Sequence, residues 1–368
     1  MEKIHATSCS NQRSILVTAL ALGFLIRLVI LPITYGVDYM LFMEYGRLLA
    51  TGKLTALLYD DVFSLATPPF YIYLISLMTV VSDHTGLSLV FLGKLPNLIS
   101  DLIVSYLIWE LILKKTSSVQ KALSGLSLFL FNPLVIYNSC FYGRFDSVAL
   151  AFLMLAIRDT SWLRFGIYYG ISIATKTFPA FLFPWFYKTR GEKKILSLAL
   201  SLITVALLCS PFLWLDAITF TKNNVEWFVT KTPTQFSWQL LLVNVISLEK
   251  ILTFSLLLLL LFYTLLVVLP RSTAVDAYEY AALVFSLFTF CSIVVYEQYL
   301  TWQLPFLAVS GVLYKRRYAL PLLCYATFIG AFGNGHIDLL TPLAPIEAWN
   351  LVLGALTLLF SYSVLRNG

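Results

Sequence analysis

Long apolar runs broken by short polar clusters set the pattern of this chain. The clearest run is 251–269, ILTFSLLLLLLFYTLLVVL, which carries no charge. At about 1.5 Å of rise per residue it is long enough to cross a lipid core. Segments 15–33, 94–113 and 195–214 read as further spans. Shorter or interrupted runs lie at 121–137, 146–158, 276–296, 300–314, 318–333 and 347–365, and 162–186 reads as a tight hairpin. Stretch 68–82 opens on Pro68-Pro69 and is too short for a span, so it predicts a re-entrant or interfacial helix. Segment 15–33 follows Lys3 and Arg13, as a signal peptide would. It is too long for one, contains Arg27 and lacks a small-residue cleavage site, so it predicts a retained anchor. The pattern therefore predicts an all-α, polytopic transmembrane helical bundle of about 10–12 spans. No linker, low-complexity run or repeat divides it. Residues 1–368 read as one membrane domain, with long outer segments at 34–93 and 216–248.

Composition supports lipid as the solvent. Hydrophobic residues make up 59% and charged residues 12%, too apolar for a soluble domain of this length to bury. The net charge of +6 reads as basic cytoplasmic loops rather than as an anionic partner. The basic residues are scattered between apolar runs, and no nucleic-acid-binding motif is present. With the N-terminus inside and 68–82 returning without crossing, sixteen of the 25 Lys and Arg fall on the cytoplasmic side. Asp38, Glu44, Asp146 and Glu297 then gather on the outer side with most of the other acids.

The five cysteines are far apart without a CxxC pair and read as small buried hydrophobes. The three histidines form no metal pattern, and no nucleotide-binding or nucleophile-elbow motif occurs. Attention passes to the ionisable groups set in or beside apolar runs, where they are costly. Asp38 follows the first span, with Glu44 six residues on; the plain reading is a solvated loop acid. In Asn138-Ser-Cys-Phe-Tyr-Gly-Arg-Phe-Asp-Ser, Arg144 and Asp146 flank a turn between two apolar helices, where they either serve chemistry or cap a helix. Lys94, Asn97, Asp101 and Ser105 form one polar stripe at helical spacing, facing protein or a wet cavity. Lys176 stands beside a helix-breaking proline in the hairpin, a setting that suits anion binding. Glu297, Gln298 and Gln303 surround a later helix junction rich in aromatics. These groups together outline a polar cavity with acids for proton transfer and cations for a phosphate.

At these residues the sequence resembles the GT-C membrane glycosyltransferases that use a polyprenyl- or dolichyl-phosphate sugar. Within them it is most similar to the catalytic subunit of the first GPI mannosyltransferase and to related archaeal mannosyltransferases. The matching blocks, in family order, begin with Val37-Asp-Tyr-Met-Leu-Phe, Gly46-Arg-Leu-Leu-Ala-Thr-Gly-Lys, Thr67-Pro-Pro and Gly93-Lys-Leu-Pro-Asn-Leu-Ile-Ser-Asp-Leu. They continue with Phe131-Asn-Pro, Tyr142-Gly-Arg-Phe-Asp-Ser-Val, Ala174-Thr-Lys-Thr-Phe-Pro and Glu297-Gln-Tyr-Leu-Thr-Trp. Two positions depart from the family. Gly36 stands where the first acid of an Asp-x-Asp is usual, and Arg144 stands near a usual glutamine or small polar residue.

The resemblance implies a bundle whose first outer loop carries short interfacial helices over the cavity, with transfer on the outer or luminal face. It implies a dolichyl- or polyprenyl-phosphate sugar donor, mannose first among hexoses, and a lipid- or protein-linked glycan acceptor. Lys176, assisted by Arg144 and Lys94, would stabilise the leaving phosphate, while Asp101, Glu297 and Gln298 complete the binding set. Asp38 is the first choice of base, then Asp146, then Glu44, in an inverting direct displacement. No cofactor is expected, since the incomplete Asp-x-Asp does not support a divalent metal. The membrane is an archaeal or other prokaryotic cell membrane, or the endoplasmic reticulum. The alternatives are a transporter or lipid flippase, since polar groups in broken helices also mark substrate paths, and a non-catalytic partner subunit of a glycosyltransferase complex.

Overall fold

The structure is a computed structural model that describes residues 2–229 apart from 34, 60–66 and 190, then 276–292, 296 and 298–311, with isolated positions between 247 and 264. Glu297 and the expected spans at 318–333 and 347–365, together with most of 251–269, lie outside the described residues.

Every regular element described is helical, and the apolar runs explain why. Helix α1 (Glu2–Ile30), α5 (Leu89–Thr116) and α11 (Lys194–Val229) hold the three described stretches that are long and apolar enough to cross a membrane: Gln12–Ile30, Leu89–Thr116 and Lys194–Asn224. Helix α1 and the first half of α11 turn Val17, Leu25, Val29, Leu202 and Leu207 outward, more than half exposed. In water such a surface would drive association; against hydrocarbon it is matched. The run 121–137, expected to be short or interrupted, is broken. Helix α6 (Val119–Leu130) bends 42° into α7 (Pro133–Ile136) and a π-helical turn, Tyr137–Tyr142. Pro133 cannot continue a helix, and Asn132 restarts it by accepting the Leu134 N–H at 3.0 Å.

Short helices fill the first long loop, as the family resemblance implies: α2 (Val37–Ala50), α3 (Leu54–Tyr59) and α4 (Phe70–Thr85). At 16 residues α4 is below spanning length, in line with the expectation for 68–82. Helix α8 (Asp146–Arg158) is followed by the segment expected as a hairpin, 162–186, which holds α9 (Trp162–Thr175), a 3-10 turn, Phe178–Leu182, and the start of α10 (Phe183–Thr189). Helix α12 (Ala277–Cys291), α13 (Tyr299–Trp302) and α14 (Leu304–Ser310) close the described set. Asp216 breaks α11 in two: its backbone is extended there (φ −161°, ψ 96°), and its side chain accepts from the Ile218 and Thr219 N–H groups as a fresh N-cap.

The largest apolar cluster among the described residues runs through α5, α6, α8, α9 and α12–α14 and includes Phe129, Leu150, Phe165, Tyr169 and Phe285. The polar stripe on α5 faces this protein interior, not lipid: Lys94, Asn97, Asp101 and Ser105 are all fully buried. Arg27, the charge that argued against a signal peptide, finds its partner there, with Nε 2.8 Å from Asp101 Oδ2. Cys140, Cys209 and Cys291 are buried free thiols, as expected of small core residues.

Candidate active site

Three helix ends that are distant in sequence meet at one cavity. Asp38 stands in the first turn of α2, and Asp146 opens α8. Lys176 lies just past the end of α9. Because α8 and α9 are an antiparallel hairpin, residue 176 returns to the level of residue 146. A carboxylate at a helix N-terminus and an ammonium at a helix C-terminus are each favoured by the backbone dipoles, so the pair suits its place. Lys176 Nζ donates to Asp146 Oδ1 at 2.7 Å. The Trp302 indole N–H donates to the same oxygen at 2.5 Å. Asp146 is buried, and its Oδ2 has no hydrogen-bond partner among the described residues. Lys176 also sits over the Phe145 and Trp302 rings, 5.2 and 5.7 Å from their centroids.

The second ion pair of the cavity is looser. Arg144 Nη2 lies 3.2 Å from Asp38 Oδ2; the arginine side chain is 9% exposed and the aspartate 46%. Two tyrosine faces hold the guanidinium, Tyr142 at 4.5 Å and Tyr296 at 5.6 Å from the ring centroids. Its backbone is pinned as well: Gly143 adopts φ +85°, and the Arg144 N–H reaches back to the Asn138 carbonyl at 2.7 Å. Asp38, Arg144 and Lys176 line a cavity of about 540 Å³, and Asp146 meets it only through its contacts to Lys176 and Trp302. The cavity walls are apolar and aromatic, with Phe42, Tyr45, Phe178, Phe288, Tyr299 and Trp302 prominent, and Asn224 and Gln298 bring amides to it. The Gln298 Oε1 is buried without a hydrogen-bond partner among the described residues.

The other expected residues lie elsewhere. Lys94 and Asp101 were expected to bind substrate, but neither lines the cavity. Lys94 Nζ donates to the carbonyls of Leu31, Cys140 and Phe141 at 3.0, 2.9 and 3.2 Å. Those carbonyls end α1 and the π-helical turn, so the ammonium caps two converging helix C-termini. Asp101 accepts from Arg27, from Ser139 Oγ at 2.6 Å and from Ser147 Oγ. These contacts are the helix-holding role that the sequence left open for the stripe. Glu44 also faces away from the cavity, in an exposed pair with Arg47 at 3.7 Å. Glu297 is outside the described residues. Among the described residues no group of three or more His, Cys, Asp or Glu side chains is placed to hold a metal ion.

Sequence reasoning had Trp302 within a family block but gave it no task; its indole N–H needs a partner when buried, and that was the available signal. It also had no reason for Gly36. A Cβ there would lie 2.2 Å from the Tyr142 ring, and the Gly36 N–H donates to the Tyr142 carbonyl at 3.0 Å. The ring that excludes an acid at 36 is the one stacked on Arg144, so the two departures from the family are sterically linked. Gly36→Asp is accordingly expected to lose about 1–3 kcal/mol of stability by overpacking. Thermal unfolding in detergent checks this, and an unchanged midpoint would contradict it.

No family model matches the chain, and no curated protein does either. Among solved structures it is similar to that of ArnT from Cupriavidus metallidurans bound to undecaprenyl phosphate. The TM-score is 0.52 at 14% identity, over 95% of this chain and 76% of that one. At that identity the likeness speaks for architecture alone: the chain has the all-helical, polytopic bundle fold that its hydropathy pattern predicts.

Proposed function

We propose that this chain is a membrane glycosyltransferase that moves a hexose, mannose first, from a dolichyl- or polyprenyl-phosphate donor to a lipid- or protein-linked glycan acceptor. The observation that carries the reading is that Arg144, Lys176 and the Asp38 carboxylate line one largely apolar cavity, with Arg144 paired to Asp38 and Lys176 to the buried Asp146. A lipid-phosphate sugar needs this combination: positive charge for the phosphate, apolar walls for the isoprenoid start and sugar faces, and a carboxylate for the acceptor. The fold shared with ArnT, whose structure holds undecaprenyl phosphate, is support of an independent kind.

The chemistry follows from the charges. The donor's leaving group is a phosphate, which needs charge stabilisation and no proton, and Lys176 and Arg144 supply it. The acceptor hydroxyl loses its proton to Asp38 as its oxygen attacks the anomeric carbon. The bond from that carbon to the phosphate oxygen breaks, and its electron pair leaves with the phosphate. One displacement inverts the anomeric centre; a retaining path would need a covalent sugar–enzyme stage. The active face is the outer or luminal one, on the side where the acids gather. Residues 1–368 act as one domain, and its first outer loop, 34–93, carries the proposed base Asp38.

The test uses the full chain in nanodiscs with dolichyl-phosphate mannose and dolichyl-phosphate glucose, each radiolabelled in the sugar. Release of lipid phosphate with the mannose donor in excess over glucose is the expected result. Binding of neither donor would remove the glycosyltransferase reading and favour transport.

A further inference from the structure

We infer that the donor phosphate enters by displacing Asp38 from Arg144, and that this exchange is what frees Asp38 to act as the base. The inference rests on the donor reading above and deepens it. Its ground is the inequality of the two ion pairs in the cavity. Asp146 is 2% exposed, and two donors, Lys176 and the Trp302 indole, converge on one of its oxygens. Breaking that pair strands a buried carboxylate, which is expensive. Lys176 need not break it. An ammonium has three donor protons, and this one reaches the cavity while holding Asp146 through a single contact, so a phosphate can share it.

Asp38 is the opposite case. Its side chain is half exposed and one contact of 3.2 Å holds it, so its release costs little. Arg144 stays in place when Asp38 leaves, because the Tyr142 and Tyr296 rings and the backbone turn at Gly143 position it without the carboxylate. A guanidinium fork engages a phosphate with two parallel N–H bonds, whereas the observed contact to Asp38 is single. Phosphate therefore outcompetes the carboxylate, and the oxygen that faced Arg144 turns to the acceptor hydroxyl. Asp146 never leaves its two donors, which makes it the positioning counter-ion of Lys176 and not a second base.

The consequence is opposite to that expected when an ordinary binding residue is lost: neutralising the proposed base should tighten donor-phosphate binding. The measurement is the affinity of the full chain in nanodiscs for undecaprenyl phosphate, with neutral undecaprenol as the uncharged comparison. Asp38→Asn is expected to bind the lipid phosphate about two- to fivefold tighter than wild type, the range given by the strength of an exposed ion pair. Undecaprenol binding should not change. Asp83→Asn removes an exposed acid at the end of α4 and controls for charge in general; it should leave both affinities as they are. A misfolded variant loses affinity, so a gain cannot come from misfolding, and Asp38→Ser serves as a second neutral variant. Equal or weaker phosphate binding by both variants overturns the exchange while leaving the donor reading standing. Wild-type protein that binds undecaprenyl phosphate no better than undecaprenol overturns both.

Discussion

Asp38→Asn is expected to lower donor-dependent sugar transfer by about 10²- to 10⁴-fold, the usual contribution of a positioned general base. Its thermal unfolding should stay close to wild type. The two halves of the expectation have separate grounds. The side chain stands in the first turn of α2, lines the cavity and meets Arg144 across a half-exposed gap. Exposed pairs of this kind contribute only about 0–1 kcal/mol, so asparagine, which matches the carboxylate in shape, disturbs little but proton acceptance. Asp146 is the contrast. Its burial and its two donors make it a structural centre, and Asp146→Asn should reduce stability and activity together. Transfer assays beside thermal unfolding on both variants separate the roles. Normal turnover by Asp38→Asn would pass the base to Asp146.

The largest loss of stability is expected from Arg27→Met. Arg27 and Asp101 are both fully buried and join α1 to α5 by a contact of 2.8 Å. Removing the arginine leaves a carboxylate in the interior with only the hydroxyls of Ser139 and Ser147 to neutralise it. Breaking one side of a buried pair costs about 3–5 kcal/mol. The double variant Arg27→Met with Asp101→Asn removes both charges, keeps an acceptor oxygen for one serine hydroxyl and offers an N–H to the oxygen of the other, so it should recover more than half of that loss. Thermal unfolding in detergent of the two single variants and the double variant forms the cycle. A loss below about 1 kcal/mol in Arg27→Met would mean that the pair does not hold the helices together.

The sequence analysis and the structure agree most where a single physical rule acts on local residues. Spans 15–33, 94–113 and 195–214 are long, predominantly apolar runs, and each corresponds to a long described helix. The polar stripe Lys94, Asn97, Asp101 and Ser105 was legible from spacing, but its purpose was not. Its partners Leu31, Cys140 and Arg27 come from other helices, and only packing brings them within reach. The same applies to the expected binding set. Arg144, Lys176, Asp38 and Gln298 meet at the cavity, while Glu44, eight residues before Gly52 and close to Asp38 in sequence, points away because α2 turns its side chain to the exposed face with Arg47.

Hydropathy alone determined that the chain is helical and membrane-embedded, because lipid leaves the backbone no other way to satisfy its hydrogen bonds in a closed bundle of this kind. It also singled out the ionisable groups, since charge in an apolar run is costly enough to be conspicuous. Which of those groups are wall and which are cavity is a matter of tertiary structure. A hairpin returns Lys176 to Asp146, a helix 156 residues downstream brings Trp302 onto the same carboxylate, and a tyrosine ring at 142 decides that position 36 holds no side chain. These are contacts between side chains remote in sequence, and their geometry depends on how the helices pack, which no local pattern encodes.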